Sequence, residues 1–268
     1  MKILIGALIT AVLQVGEVVE FSNSVAFIPQ DHNEITLYLD EIDNRLTPVM
    51  VIDQFYLNDG QYIYKDPAPI KKAITDSGHI GRLVFMFDEI QWKGRLAGQD
   101  ADEILLLMQR IKKDFYGVEF AHIEAFTELY FQMTSGDGKL SMFFDADHIG
   151  FDCYGEFTGC GGFGVPELPQ IMYLAEIYNQ AYAAGSKAKI FLVPGAFHAE
   201  GFFQNNAAIL DQLQAYDNLI TTYPDFVSGF GVFTWGSLED AAITGARDIP
   251  EIKEATEKLL LKLKVKHD

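Results

Sequence analysis

The sequence predicts a single-domain α/β fold closed into a (β/α)8 barrel, and three observations carry that expectation. Apolar runs such as Leu83 to Phe87 break off abruptly in acids, here Asp88 and Glu89. A run of that kind reads as a strand buried on both faces within a parallel sheet. Strand-like and helix-like segments alternate along the chain, which is the α/β signature. Polar residues close almost every strand at its C-terminal side, as they do around the mouth of a TIM-type barrel. This last observation favours closure over an open doubly wound sheet.

The elements follow in order. Met1-Lys2 and the apolar run Ile3 to Leu13 make residues 1–26 either a signal peptide, with Ser24-Val25-Ala26 as its cleavage site, or the first barrel element. Glu17 and Glu20 depart from an ordinary leader, and the run is too short for a comfortable membrane span. The leader reading implies a secreted or periplasmic protein, its absence a cytoplasmic one. Residues 27–268 are the barrel domain. Val25 to Ile28 is a strand, and Asp31 to Leu46 a helix with Ile35, Leu39 and Ile42 on one face. Pro48 to Phe55 is a strand, Pro69 to Ser77 a helix, and Leu83 to Phe87 a strand. Asp102 to Lys113 is a helix; Val118 to Phe126 and His148 to Tyr154 are strands. Pro166 to Ala184 is a helix with proline in its first turn, and Lys189 to Pro194 a strand. Asn206 to Tyr223 is a helix, Phe226 to Trp235 the last strand and Ile252 to Val265 the last helix.

A formal net charge of -18 argues against a nucleic-acid partner, because the field would repel a phosphate backbone. No G-x-G-x-x-G follows the first strand and no G-x-x-x-x-G-K-S/T occurs, so no nucleotide cofactor is expected. Cys153 and Cys160 are compatible with a short disulfide in an exported protein or with two thiols, and their spacing does not suggest zinc.

Strand alternation assigns faces. Ala121, Ile123 and Ala125 are expected against helices, with His122, Glu124 and Phe126 facing the mouth, because an unpaired acid against helices is costly. Asp152 and Tyr154 are expected at the rim, and Gly229 and Gly231 inside the barrel below Trp235. Of Asp88 and Glu89, the longer Glu89 is preferred for chemistry. The mouth therefore collects Asp53, Asp88, Glu89, Glu124, Asp152, Tyr154, His198 and Trp235, with Trp92 close to it in sequence. Several carboxylates with aromatic rings suit glycoside hydrolysis. One carboxylic acid protonates the leaving oxygen, and a second carboxylate attacks or activates water. Crowding keeps one of them protonated near neutral pH.

Phe87-Asp88-Glu89, Ile149-Gly150-Phe151-Asp152-Cys153-Tyr154 and Phe233-Thr234-Trp235-Gly236 resemble strand ends of the TIM-barrel glycoside hydrolase superfamily. The resemblance runs from Pro48 onward in short motifs. It implies a carbohydrate substrate, catalysis by Glu89 and Glu124 with Asp88 and Asp152 as competing carboxylates, and substrate contacts from Asp53, Trp92, Tyr154, His198 and Trp235. The best-known retaining members carry Asn-Glu where this chain has Asp88-Glu89. They also place a Glu on a late strand, where this chain has Trp235-Gly236-Ser237-Leu238 before Glu239. Two other readings stand beside it. A metal-dependent hydrolase would use Asp145, Asp147, His148, His122 and Glu124, although the histidine spacing announces no metal cluster. A non-catalytic glycan-binding barrel fits the missing late Glu.

Overall fold

The computed structural model describes residues 24–29, 31–42, 47–78, 81–135, 145–153, 170–199, 205–225, 227–231, 237 and 242–267. Seven strands form the main sheet: β1 (Ser24–Phe27), β2 (Thr47–Val51), β3 (Val84–Asp88), β4 (Glu119–Ala125), β5 (His148–Cys153), β6 (Lys189–Pro194) and β7 (Val227–Phe230). They lie side by side in chain order, and every neighbouring pair is parallel. Parallel neighbours need crossover connections, and helices supply them: α1 (His32–Glu41), α2 (Ala68–Ser77), α3 (Ile90–Leu96), α4 (Ala101–Asp114), α5 (Phe126–Ser135), α6 (Gln170–Ala183) and α7 (Asn206–Thr222), with α8 (Pro250–His267) following the last strand.

The expected closed (β/α)8 barrel is corrected by this topology. Among the described residues the sheet is open and curled, a half-barrel whose edges are β1 and β7, with no eighth strand joining them. The reason lies in the observation used to favour closure. Polar residues at the carboxyl ends of strands mark the functional edge of any parallel α/β sheet, open or closed, and so do not discriminate between the two. Ser24, Val25 and Ala26 pair with Thr47, Pro48 and Val49. A cut after Ala26 would therefore remove most of β1. The rest of the leader reading concerns residues outside the described ones. Among the described residues no helix is long and apolar enough to cross a membrane.

Two apolar layers cover the outer face of the sheet. Phe27, Met50, Phe85, Phe87 and Phe120 pack against Ile35, Leu39, Ile70, Ile74, Ile104, Met108 and Ile111 of α1, α2 and α4. Ile149, Phe151, Ile190 and Leu192 pack against Ile177, Ile209, Leu213 and Ile252 of α6, α7 and α8. The concave face is lined by Val49, Val51, Met86, Ala121, Ile123 and Val193, with the Phe191 ring against them. Glycine is needed beneath that ring. A Cβ on Gly150 would lie 2.3 Å from the Phe191 carbonyl oxygen, and one on Gly229 would lie 2.5 Å from the ring. The expected inward position of the two last-strand glycines thus has a cause, the volume of Phe191.

Helices α1 and α7 begin where the sequence signals them. Asp31 accepts from the N–H of Asn33 at 2.7 Å and of Glu34 at 3.2 Å, and Asn205 accepts from Ala208 N–H at 2.9 Å. These side chains satisfy first-turn donors that have no partner within the helix.

Candidate active site

The carboxyl ends of β2, β3 and β5 bring four carboxylates together around one ammonium. Asp53, in the turn after β2, is fully buried. It accepts from Asp88 N–H at 3.0 Å, Tyr62 Oη at 3.1 Å and Gln54 Nε2 at 3.2 Å. Asp53 is therefore a brace for the end of β3, a role that fits none of the expected substrate contacts. Asp88 ends β3 on the concave side, in phase with Val84 and Met86. Its carboxylate lies 2.5 Å from Lys93 Nζ, which also donates to the Asp88 carbonyl at 2.7 Å.

Glu89 follows with φ 52° and ψ 33°, a left-handed conformation. For a residue with a Cβ this costs about 1–2 kcal/mol, and such strain gathers at functional sites. Its N–H continues the sheet by donating to Ile123 O at 2.7 Å. Glu89 stands at the N-cap of α3, yet its side chain makes no capping bond. The carboxyl instead hydrogen-bonds that of Asp152 on β5, and lies 3.6 Å from Lys93 Nζ. The side chains of Asp88, Glu89 and Lys93 are 25%, 20% and 30% exposed, so the group opens to solvent, whereas Asp53 and Glu124 are 0% exposed.

The electrostatics follow from burial and crowding. Burial raises Asp53 to about 7, helped by Asp88 and opposed by Lys93. Burial and then Asp88 raise Glu89. Burial, Glu89 and Asp88 raise Asp152 well above the usual carboxylate range. For Lys93 burial works downward, but Asp88, Glu89 and Asp53 outweigh it and raise the ammonium. The hydrogen-bonded carboxyls share a proton, because two adjacent carboxylates cannot both ionise cheaply.

Glu124 is elsewhere. Ala121 and Ile123 line the concave face, so the expected faces of β4 are reversed, and Glu124 and His122 lie in the helix layer. Glu124 accepts from the N–H groups of Gln91 at 3.1 Å, Trp92 at 3.2 Å and Ala125 at 3.0 Å. It caps α3 from a neighbouring strand. His122 Nε2 sits 3.2 Å from its Oε2. Burial raises Glu124 to about 8 against those three donors, and lowers His122 to about 3. The faces are reversed because α3 starts beside Glu124 in the helix layer, and its first-turn donors satisfy the acid there. Trp92 contributes its backbone to this cap. His198 sits in the short strand Phe197–His198, paired with Thr244. Tyr154, Trp235 and Glu239 lie outside the described residues, as does Cys160.

Lys93 is the site residue that the sequence reading missed. Its signal was the four-residue spacing from Glu89, the spacing of neighbours on one helix face. The expected metal ligands are occupied structurally. Asp145 binds Lys112 at 2.8 Å, Asp147 accepts from Phe120 N–H at 2.9 Å, and His148 lies between Ser228 at 2.9 Å and Glu119 at 3.1 Å. Among the described residues no group of His, Cys, Asp and Glu is arranged to hold a metal ion. No protein-family model matches the chain, and no curated protein matches it significantly.

The buried acids predict an acid-shifted stability profile. Asp53 and Glu124 bind protons more tightly folded (about 7 and 8) than at their ordinary 3.8 and 4.5, so each withdraws stability as pH rises between those values. His122 binds its proton less tightly folded, about 3 against 6.5, and adds stability as pH rises through that window. The contributions cancel near pH 4, and the acids dominate above about pH 4.5. Thermal melts are expected to peak near pH 4–5 and decline to pH 8, most steeply just above 6.5 where the His122 contribution has ended. A melting temperature that climbs from pH 5 to 8 would contradict these assignments.

Proposed function

We propose that the protein is a glycoside hydrolase acting on an oligo- or polysaccharide at the carboxyl edge of its sheet. The observation that carries this reading is the carboxyl–carboxyl hydrogen bond between Glu89 and Asp152 beside the Lys93-bound Asp88. Carboxyls that hydrogen-bond to each other are too close to stand on opposite sides of a glycosidic bond, where separations of roughly 5–9.5 Å are needed. Glu89 and Asp152 therefore act as one proton-handling unit. The pair gives its proton to the leaving oxygen as the bond to the anomeric carbon breaks. Asp88 faces the positive charge that develops on the sugar. Water then attacks the anomeric carbon and returns a proton to the pair. General acid–base help of this kind contributes about 10²–10⁴-fold.

The test is a screen of the purified protein on chromogenic glycosides and on plant, bacterial and chitin-type polysaccharides, with and without EDTA. Turnover that survives chelation and disappears in Asp152→Asn is expected. Turnover abolished by EDTA, or undiminished in Asp152→Asn, would remove the reading.

A further inference from the structure

We infer that the amino edge of the sheet carries a second site, a serine esterase triad of Ser228, His148 and Glu119 that cleaves short uncharged esters. It is independent of the reading above and lies at the other end of the strands. His148 opens β5 and Asp152 stands four residues on, about 13 Å along the strand. Side chains from three strands form one hydrogen-bonded line. Ser228 Oγ lies 2.9 Å from His148 Nδ1, and His148 Nε2 lies 3.1 Å from Glu119 Oε2. The other acceptor open to the Ser228 hydroxyl, the Ile190 carbonyl, is farther away at 3.2 Å.

The sheet explains how the three meet. His148 is in register with Ala121, which lines the concave face, and Glu119 stands two residues before Ala121. Imidazole and carboxylate therefore share that face on adjacent strands. Ser228 comes from β7, beyond β6, through a bulge. Val227 pairs with Ile190 and Gly229 with Phe191, so Ser228 is an extra residue between consecutive partners. Bulges re-aim side chains and gather beside active sites. A carboxylate can only accept, so Glu119 takes the Nε2–H and leaves the Nδ1 lone pair for the serine hydroxyl. Nucleophile, base and orienting acid are then in order. Ser228 Oγ attacks the acyl carbon while its proton passes to Nδ1. The imidazolium, facing Glu119, gives that proton to the leaving alkoxide as the ester C–O bond breaks. Water then attacks the acyl carbon, and its proton passes through Nδ1 to Ser228 as the acyl–Oγ bond breaks. Lys189, in register with His148 and in phase with Phe191, puts a cation on the same face for the charge that develops on the acyl oxygen. The His148 and Glu119 side chains are 21% and 64% exposed, so the line opens to solvent. The Phe191 ring fills the face just inside it, leaving no room for a Cβ on Gly229 or Gly231, which limits the acyl group to a short one. The net charge of -18 disfavours an anionic ester.

The experiment treats the full chain with an alkyl fluorophosphonate, which transfers its phosphonyl group to an activated serine as fluoride leaves. Peptide mass spectrometry maps the label, and hydrolysis of p-nitrophenyl acetate is followed beside it. Stoichiometric label on Ser228 is expected. His148→Gln should slow labelling and ester turnover about 10²–10⁴-fold. Glu119 is a positioning residue at the surface, so Glu119→Gln should keep the wild-type melting temperature while slowing both by a smaller factor. The wild-type map needs no variant to fold, which keeps the test decisive if His148→Gln does not. Label absent from Ser228, or label there at an undiminished rate in folded His148→Gln, would overturn the inference and leave the three residues as a hydrogen-bonded plug at the amino edge. No glycan enters the measurement. A protein inert on every glycan but labelled at Ser228 would sink the glycosidase reading and leave this site standing.

Discussion

Glu89→Gly is expected to fold at least as stably as the wild type and to lose turnover, and Glu89→Gln to fold normally with turnover down about 10²–10⁴-fold. Glu89 holds φ 52°, which glycine adopts without penalty and glutamate does not. Relief of about 1–2 kcal/mol is partly returned, by about 0.4–1 kcal/mol, because glycine also loosens the unfolded chain. Removal of one carboxyl from a crowded, partly desolvated group adds to the gain. The lost bond to Asp152 subtracts about 1 kcal/mol. The balance is near zero or favourable, whereas an ordinary N-cap residue would lose stability on the same change. Urea denaturation and turnover on the best substrate from the screen measure the two sides. A Glu89→Gly protein destabilised by more than about 2 kcal/mol would mean that the side chain serves the fold and that the strain has no functional origin.

Most of the seven strands were legible as apolar runs stopped by polar residues, Val84–Asp88 above all, and Lys189–Pro194 was read to the residue. Glu89 and Asp152 were legible for the same reason, as acids at strand ends. Two helices were not. α3 starts directly after a strand, through a left-handed residue, and runs only from Ile90 to Leu96 with Gly94 inside it. That leaves too little sequence for a period to show. Gly94 is there because a Cβ would lie 2.7 Å from Ile104 Cδ1, so α3 packs tightly on α4. α5 continues from β4 without a linker, at Phe126. Both omissions propagated. Without α3 there was no partner for Glu124 in the helix layer, and no reason to place Lys93 beside Glu89. Without α5 there was no view of Glu128, which receives Arg95 in a two-pronged ion pair at 2.5 and 2.7 Å and binds Gln132 at 2.7 Å, tying α5 to α3. The alternation rule was sound on β4, but its starting parity came from an energy argument that lacked one of the elements in it.

Glu124→Ala is expected to cost about 3–5 kcal/mol, because it leaves buried backbone donors without an acceptor, and on the order of 10 °C in melting temperature. Three backbone donors, on Gln91, Trp92 and Ala125, converge on this one carboxyl. Alanine would leave them buried and unpaired, at about 1–3 kcal/mol each before relaxation. The cap matters beyond α3 itself. Glu89 occupies the N-cap position but turns its carboxyl to Asp152, so the helix start depends on an acid from β4. A frayed α3 would release Lys93 as well, and turnover in Glu124→Ala should fall with the fold. Glu124→Gln separates this role from catalysis. With Glu124 held up to about 8, its neutral acid is the main form at pH 7, and glutamine imitates that form in shape and charge. Glu124→Gln leaves at least one of those backbone donors facing an amide nitrogen that cannot accept, and should therefore cost about 1–3 kcal/mol, keep most turnover, and flatten the part of the stability profile that Glu124 contributes between pH 4.5 and 8. A Glu124→Gln protein that folds within that cost but turns over nothing would return Glu124 to the chemistry and displace Asp152 as the partner of Glu89.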